Sequence, residues 1–229
     1  MENLYYSDII YLVSFLITLI AQIFVSTSYS RYKKILNSKD NTGYDTARKI
    51  LDKNNLEDVM ILETKGNLTD HYDPKRKVIK LSTDIYHGSS IASAAVAAHE
   101  CGHAIQDKNK YIPMRIRSAI VPFVNICTRL GYLAILIGLI FNRAPLLEAG
   151  IILLLAMLVF QLITLPVEFN ASKRALNELE KEKILDKEEK GNARNMLVAA
   201  AFTYVDSVLS TLLQIFRLVL ISSSNDRRR

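Results

Sequence analysis

Four stretches of the chain are nearly free of charge, and the lysines, arginines and acids crowd into the gaps between them. Uncharged runs of about 20 residues match the hydrocarbon thickness of a bilayer, so the pattern predicts membrane-spanning helices rather than an ordinary soluble domain. The first run is Ile9 to Val25, with Ser14, Thr18 and Gln22 as its polar members. Residues 1–7 hold no Lys or Arg, so the positive start of a cleaved signal peptide is missing and this run reads as an uncleaved helix. The second is Ala119 to Phe141, broken only by Asn125 and Arg129. The third, Ala149 to Val167, is the most apolar, and Asn142-Arg143-Ala144-Pro145 before it predicts a tight helical hairpin. Pro166 is expected to kink the third helix, letting the chain re-aim into a polar helix with Ala171, Ala175 and Leu179 along one side. The fourth run, Met196 to Ile221, carries Asp206, Gln214 and Arg217. It is either a further span or an amphipathic helix in the interface, so three to four transmembrane helices are expected. Asp206 and Arg217 lie three turns apart, too far to pair within one helix, so each needs a partner elsewhere or a route to the interface.

Between the first and second runs the periodicity changes. Thr42-Gly43-Tyr44-Asp45 starts a helix in which Ala47, Ile50 and Leu51 share a face, and Asn54-Asn55 ends it. Val59 to Leu62, Leu68 to Tyr72 and Val78 to Leu81 are short apolar pieces that read as strands. Asp73-Pro74-Lys75-Arg76 is turn chemistry and joins the last two into a hairpin. Gly88-Ser89-Ser90 then supplies a helix cap, and the Ala-rich stretch Ile91 to Ile105 is a strong helix former.

Charge adds a direction. Of the 29 Lys and Arg among 229 residues, sixteen fall in 31–117, seven in 168–195 and one, Arg143, in the hairpin turn. Positive loops stay in the cytoplasm, which places 31–117 and 168–195 inside and the turn outside. The tail Arg227-Arg228-Arg229 runs against this if the fourth helix spans. The expected organisation is an N-terminal transmembrane helix (1–30), a cytoplasmic part (31–117), a transmembrane hairpin (118–167), a cytoplasmic helix (168–195) and a fourth hydrophobic helix with its basic tail (196–229). The formal charge of +6 is accounted for by this topology, and with no basic stripe interleaved with aromatics nucleic acid is not an expected partner. Cys101 and Cys127 do not make a disulfide framework, which fits a reducing setting.

The Ala-rich helix contains His99-Glu100-Cys101-Gly102-His103, an H-E-x-x-H. Two His four residues apart lie one turn apart on one helical face, where both imidazoles reach a single Zn2+ at about 2.0–2.1 Å. Glu100 projects beside them, where it can take a proton from a water whose pKa zinc lowers to about 7. With four His and eleven Glu in the chain, independent placement gives this pattern by chance about 0.3% of the time. Cys101 lies on a different face from the His pair and reads as a small apolar packing residue. A catalytic site needs a third protein ligand on the same side of the membrane. Glu148 lies across the bilayer, whereas Glu168 sits where the third helix emerges; it is either that ligand or a carboxylate marking the membrane boundary, and Glu178 and Asp70 are the other cytoplasmic-side candidates.

The strings Asp70-His71-Tyr72-Asp73-Pro74, Ala97-Ala98-His99-Glu100-Cys101-Gly102-His103-Ala104-Ile105-Gln106 and Glu168-Phe169-Asn170-Ala171-Ser172-Lys173-Arg174-Ala175 resemble the YugP-type family of bacterial membrane-bound neutral zinc metallopeptidases. The likeness runs from about Thr42 to the fourth run. More distantly, the second and third strings are similar to the HtpX heat-shock protease and the prenyl-protein endopeptidases, zincins with a Glu third ligand. The resemblance implies His99, His103 and Glu168 as zinc ligands and Glu100 as the catalytic base. In the HtpX-like pattern an Asp follows the ligand Glu by four residues; here Ser172 stands there, able to orient a ligand His only weakly. Asn170 stands where YugP-type sequences often carry Asp.

His71, His87, Tyr72, Tyr86 and Arg174 are candidates for stabilising the transition state, or else ordinary surface polar residues. The expectation is a mostly α, polytopic membrane protein with a small α+β, zincin-like cytoplasmic catalytic domain. It would act as a zinc metalloendopeptidase on peptide or membrane-protein substrates, with Val78 to Leu81 as the edge that pairs with an extended substrate. The competing reading is a membrane metal-binding or scaffold protein that uses the His pair without hydrolysis. A small-solute transporter is disfavoured, because the third run is almost purely apolar.

Overall fold

The structure is a computed structural model that describes residues 2–226; the Arg227–Arg229 tail lies outside the described residues. Among the described residues, seven helices and three strands follow in chain order: α1 (Glu2–Tyr32), α2 (Gly43–Lys53), β1 (Met60–Thr64), β2 (His71–Asp73), β3 (Val78–Ser82), α3 (Thr83–His87), α4 (Ile91–Lys108), α5 (Ile112–Ile140), α6 (Ala144–Lys181) and α7 (Lys187–Asp226). The fold is mostly helical, and α1, α5, α6 and α7 are each long and apolar enough to cross a membrane. The fourth hydrophobic run is thus part of a helix of spanning length. The chain forms two compact units, one from residues up to 22, 116–165 and 203 onward, the other from 23–115 and 166–202.

In the first unit, α5 and α6 form the hairpin expected from the Asn142–Pro145 turn. Their approach depends on small residues: a Cβ on Gly138 would meet the Leu147 backbone nitrogen at 2.7 Å, and one on Gly150 the Gly131 carbonyl at 2.8 Å. Without a hydrophobic drive between helices in lipid, such backbone proximity supplies the packing. Ile135, Leu147, Ile151, Leu154 and Leu218 form the buried cluster. Asp206 and Arg217 of the fourth run find partners on α1. Thr18 donates to Asp206 at 3.2 Å, and the Arg217 guanidinium lies 4.9 Å from the Tyr11 ring centre.

The second unit holds the sheet, ordered β1-β3-β2, with β1 parallel and β2 antiparallel to β3. Thr42 caps α2 through a reciprocal box with Asp45, Ser90 caps α4, and Asp73 accepts from the Lys75 and Arg76 amides to close the β2–β3 turn. Ile50, Leu51, Ile79, Leu81, Ile85 and Ile91 are fully buried in one core. One expectation changes. Val78–Leu81 is no edge: the Asp73–Pro74 turn folds β2 onto one side of β3 and β1 docks on the other, leaving β1 and β2 as the free edges. Residues 83–87, with no expected element, form α3. Pro166 lies inside α6, which continues through it to Lys181 and carries the small-residue side expected beyond it.

Candidate metal centre

Helix α4 is buried along nearly its whole length, its alanines packed in the core, so its one polar stripe is held in a fixed place. Gly102 sets how closely α6 approaches. A Cβ there would stand 2.5 Å from the Ala171 carbonyl oxygen, so the two backbones touch at this point. Ala171, Ala175 and Leu179, the small side of α6, are fully buried. This contact delivers Glu168 to the His pair. Its Oε2 lies 3.3 Å from His99 Nε2 and 3.5 Å from His103 Nε2.

Ligand atoms from His99, His103 and Glu168 all lie within 4.8 Å of one another. A tetrahedral zinc with ligands at about 2.0–2.1 Å separates them by roughly 3.3 Å. The two His–Glu distances match that edge, so the residues fit zinc. Fully buried Gln106 fixes the tautomer of one ligand. Its Nε2 donates to the Val167 carbonyl at 2.7 Å and to Asn170 Oδ1 at 3.0 Å. A carbonyl only accepts, so the amide's oxygen must face the other way, 3.0 Å from His103 Nδ1. That ring nitrogen therefore carries the proton, leaving Nε2 bare for a metal. Ser172 Oγ lies 3.1 Å from His99 Nδ1 and holds the other ring more weakly, since a hydroxyl can either donate or accept. Arg174 Nε donates to Asn170 Oδ1 at 2.8 Å, extending the chain of bonds outward.

Glu100 is buried beside the triad but contributes no atom to it. Burial pushes its carboxyl up to about 7; the charges of Glu168 and Asp70 add to this, while His99 and the Tyr72 backbone amide pull the other way. The structure thus gathers His99, His103, Glu168, Glu100 and Ser172. It does not gather the alternative ligands: Asp70 accepts from the Ser82 amide and hydroxyl, and Glu178 from Asn54. His87 faces Glu63 on the surface at 3.3 Å, and exposed His71 bonds the Thr69 carbonyl. The Tyr72 hydroxyl donates to Asp107, and Tyr86 stacks near Tyr44. Cys101 is buried, its thiol directed at the Ala47 carbonyl and pushed well up by burial. Gln106 is the residue that sequence reasoning passed over. Its signal was a polar side chain three residues after His103 on the same helical face.

Residues 7–223 match the family described as "Putative neutral zinc metallopeptidase", and the chain belongs to it. It is 43% identical over 201 residues, 88% of this chain and 89% of the relative, to the "Putative membrane protease YugP" of Bacillus subtilis (strain 168). No solved structure matches the chain. Zinc is the cofactor of the family, and the four long apolar helices agree with a membrane protein.

Proposed function

We propose that this protein is an integral membrane zinc endopeptidase of zincin type, with His99, His103 and Glu168 as ligands and Glu100 as general base. One observation carries the reading: a buried carboxyl, Glu100, stands beside three ligand atoms without joining them. A site that merely stored metal has no use for such a group. When bound, zinc supplies Lewis-acid chemistry, lowering the pKa of water and polarising a carbonyl. Glu100 takes a proton from the attacking water and delivers it to the leaving amine. Gln106 and Ser172 hold the two rings with their Nε2 atoms forward. Edge strand β2, whose Tyr72 amide acts on Glu100, is the strand placed to pair with an extended peptide. The charge pattern supports a cytoplasmic position for 31–117 and 168–195, which hold the motif and the third ligand.

The test compares two variants of the purified full-length protein. His99→Ala loses zinc; Glu100→Gln keeps zinc and loses cleavage of peptide and membrane-protein mixtures. Equal zinc loss in both would make Glu100 a ligand, and a Glu100→Gln protein that still cleaves would end the mechanism.

A further inference from the structure

Residues 182–186 fold α6 and α7 back on each other, and Lys190 on α7 reaches Glu180 on α6. Between these helices runs a groove of about 350 Å³. Lys173, Lys190 and Arg194 line it, and among the described residues no acidic side chain does; Phe169, Leu197 and Val198 form its apolar wall. The order of these residues along the two helices gives the groove a direction. On α6 the apolar run ends at Val167, with Phe169 two residues beyond and Lys173 six, or roughly 3 and 9 Å along the axis. On α7, which runs the opposite way, Lys190 and Arg194 precede the apolar run that begins at Met196, and Leu197 and Val198 lie inside it. Both walls are therefore apolar at one end and cationic at the other, along the two helices. A phospholipid has that polarity and that spacing.

We propose that this groove holds one anionic phospholipid, its phosphate at Lys173 and Arg194 and its upper acyl chain against Phe169, Leu197 and Val198. Lys190 contributes less, being shared with Glu180. Phe169 and Val198 are 50% and 43% exposed, an apolar surface that an acyl chain covers. Ser172, whose hydroxyl meets His99, lines the same groove.

The chain contains no tryptophan, so Val198→Trp introduces a single indole on the groove wall. Phe123→Trp, at a 65% exposed position on α5, reports on bulk lipid contact. Each full-length variant is reconstituted in phosphatidylcholine bilayers carrying equal fractions of brominated phosphatidylglycerol or brominated phosphatidylcholine. At about fivefold per cation near the surface, the groove indole is quenched with a roughly 25-fold preference for the anionic lipid, and the α5 indole with none. Lys173→Gln or Arg194→Gln lowers the preference about fivefold, and the pair removes it. Phe169→Trp, an aromatic exchange on the same wall, repeats the measurement if Val198→Trp fails to fold. Equal quenching by both lipids at the groove, an equal preference at α5, or a preference that survives the double variant overturns the proposal. So does its loss on adding a short acidic peptide at micromolar concentration, which assigns the groove to a peptide.

Discussion

Replacing Gln106 by leucine keeps the volume of a fully buried side chain and removes all of its hydrogen bonds. Three are lost: from His103 Nδ1, to the Val167 carbonyl and to Asn170 Oδ1. At about 1 kcal/mol per bond, with further desolvation of the groups left unpaired, folding stability falls by about 2–4 kcal/mol. The metal effect is separate. Without its acceptor the His103 ring is free to rotate or change tautomer, and loss of such a partner lowers zinc affinity about 10–100-fold. Gln106→Glu divides the two effects. A carboxylate still accepts from Nδ1, and its charge makes the ring a better ligand, but it cannot donate to Val167. Zinc affinity therefore stays at or above wild type while the melting temperature falls as in the leucine variant. Ser172→Ala removes a single neutral, half-buried contact to His99, about 0.5–1.5 kcal/mol, and so weakens zinc only about 2–10-fold. Competitive titration with a chromophoric chelator on the purified full-length protein, together with thermal melting, measures both quantities. A folded Gln106→Leu protein with zinc affinity within about twofold of wild type would refute the tautomer argument. So would a Glu variant that loses as much zinc as the leucine one.

Glu168→Ala is expected to lose zinc and cleavage together, and retention of both would move the third ligand elsewhere. Glu178→Ala, by contrast, keeps its zinc and lowers stability by about 1 kcal/mol, because that carboxylate accepts from Asn54 at 2.7 Å; zinc analysis and melting distinguish the two variants. Gly102→Ala puts a methyl 2.5 Å from the Ala171 carbonyl oxygen, so α4 and α6 must separate, with a stability loss of about 1–3 kcal/mol and weakened zinc retention; wild-type melting and zinc content would show that the contact does not matter. A cysteine replacing exposed Glu188, in a Cys101→Ala and Cys127→Ala background, resists an impermeant thiol reagent in intact cells if residues 168–195 are cytoplasmic; rapid labelling would invert the topology.

The parts of this protein legible in its sequence are those specified by neighbours along the chain. Thr42 and Ser90 are caps because their side chains bond amides three residues away. The Asp73–Pro74 turn makes the β2–β3 hairpin for the same reason, and His99 and His103 meet because a helix repeats every 3.6 residues. Strand order was not legible: the β1–β3 pairing joins segments 18 residues apart in register, and nothing local says that β3 receives partners on both sides. Gln106 was missed on the same ground, since its meaning depends on a Val167 carbonyl 61 residues away.

Gly102 shows how the two kinds of information meet. Inside the motif it occupies a position that the metal chemistry leaves open. The α4–α6 packing does not leave it open, because there a Cβ would strike the backbone of Ala171. Ala171 is three residues after Glu168 and one before Ser172, on the face that reaches both histidines. Closing the two backbones at one glycine therefore sets a ligand and a ligand's support in a single step. A longer side chain at 102 would shift both together, so the smallest residue in the motif governs the geometry of the largest charges around it.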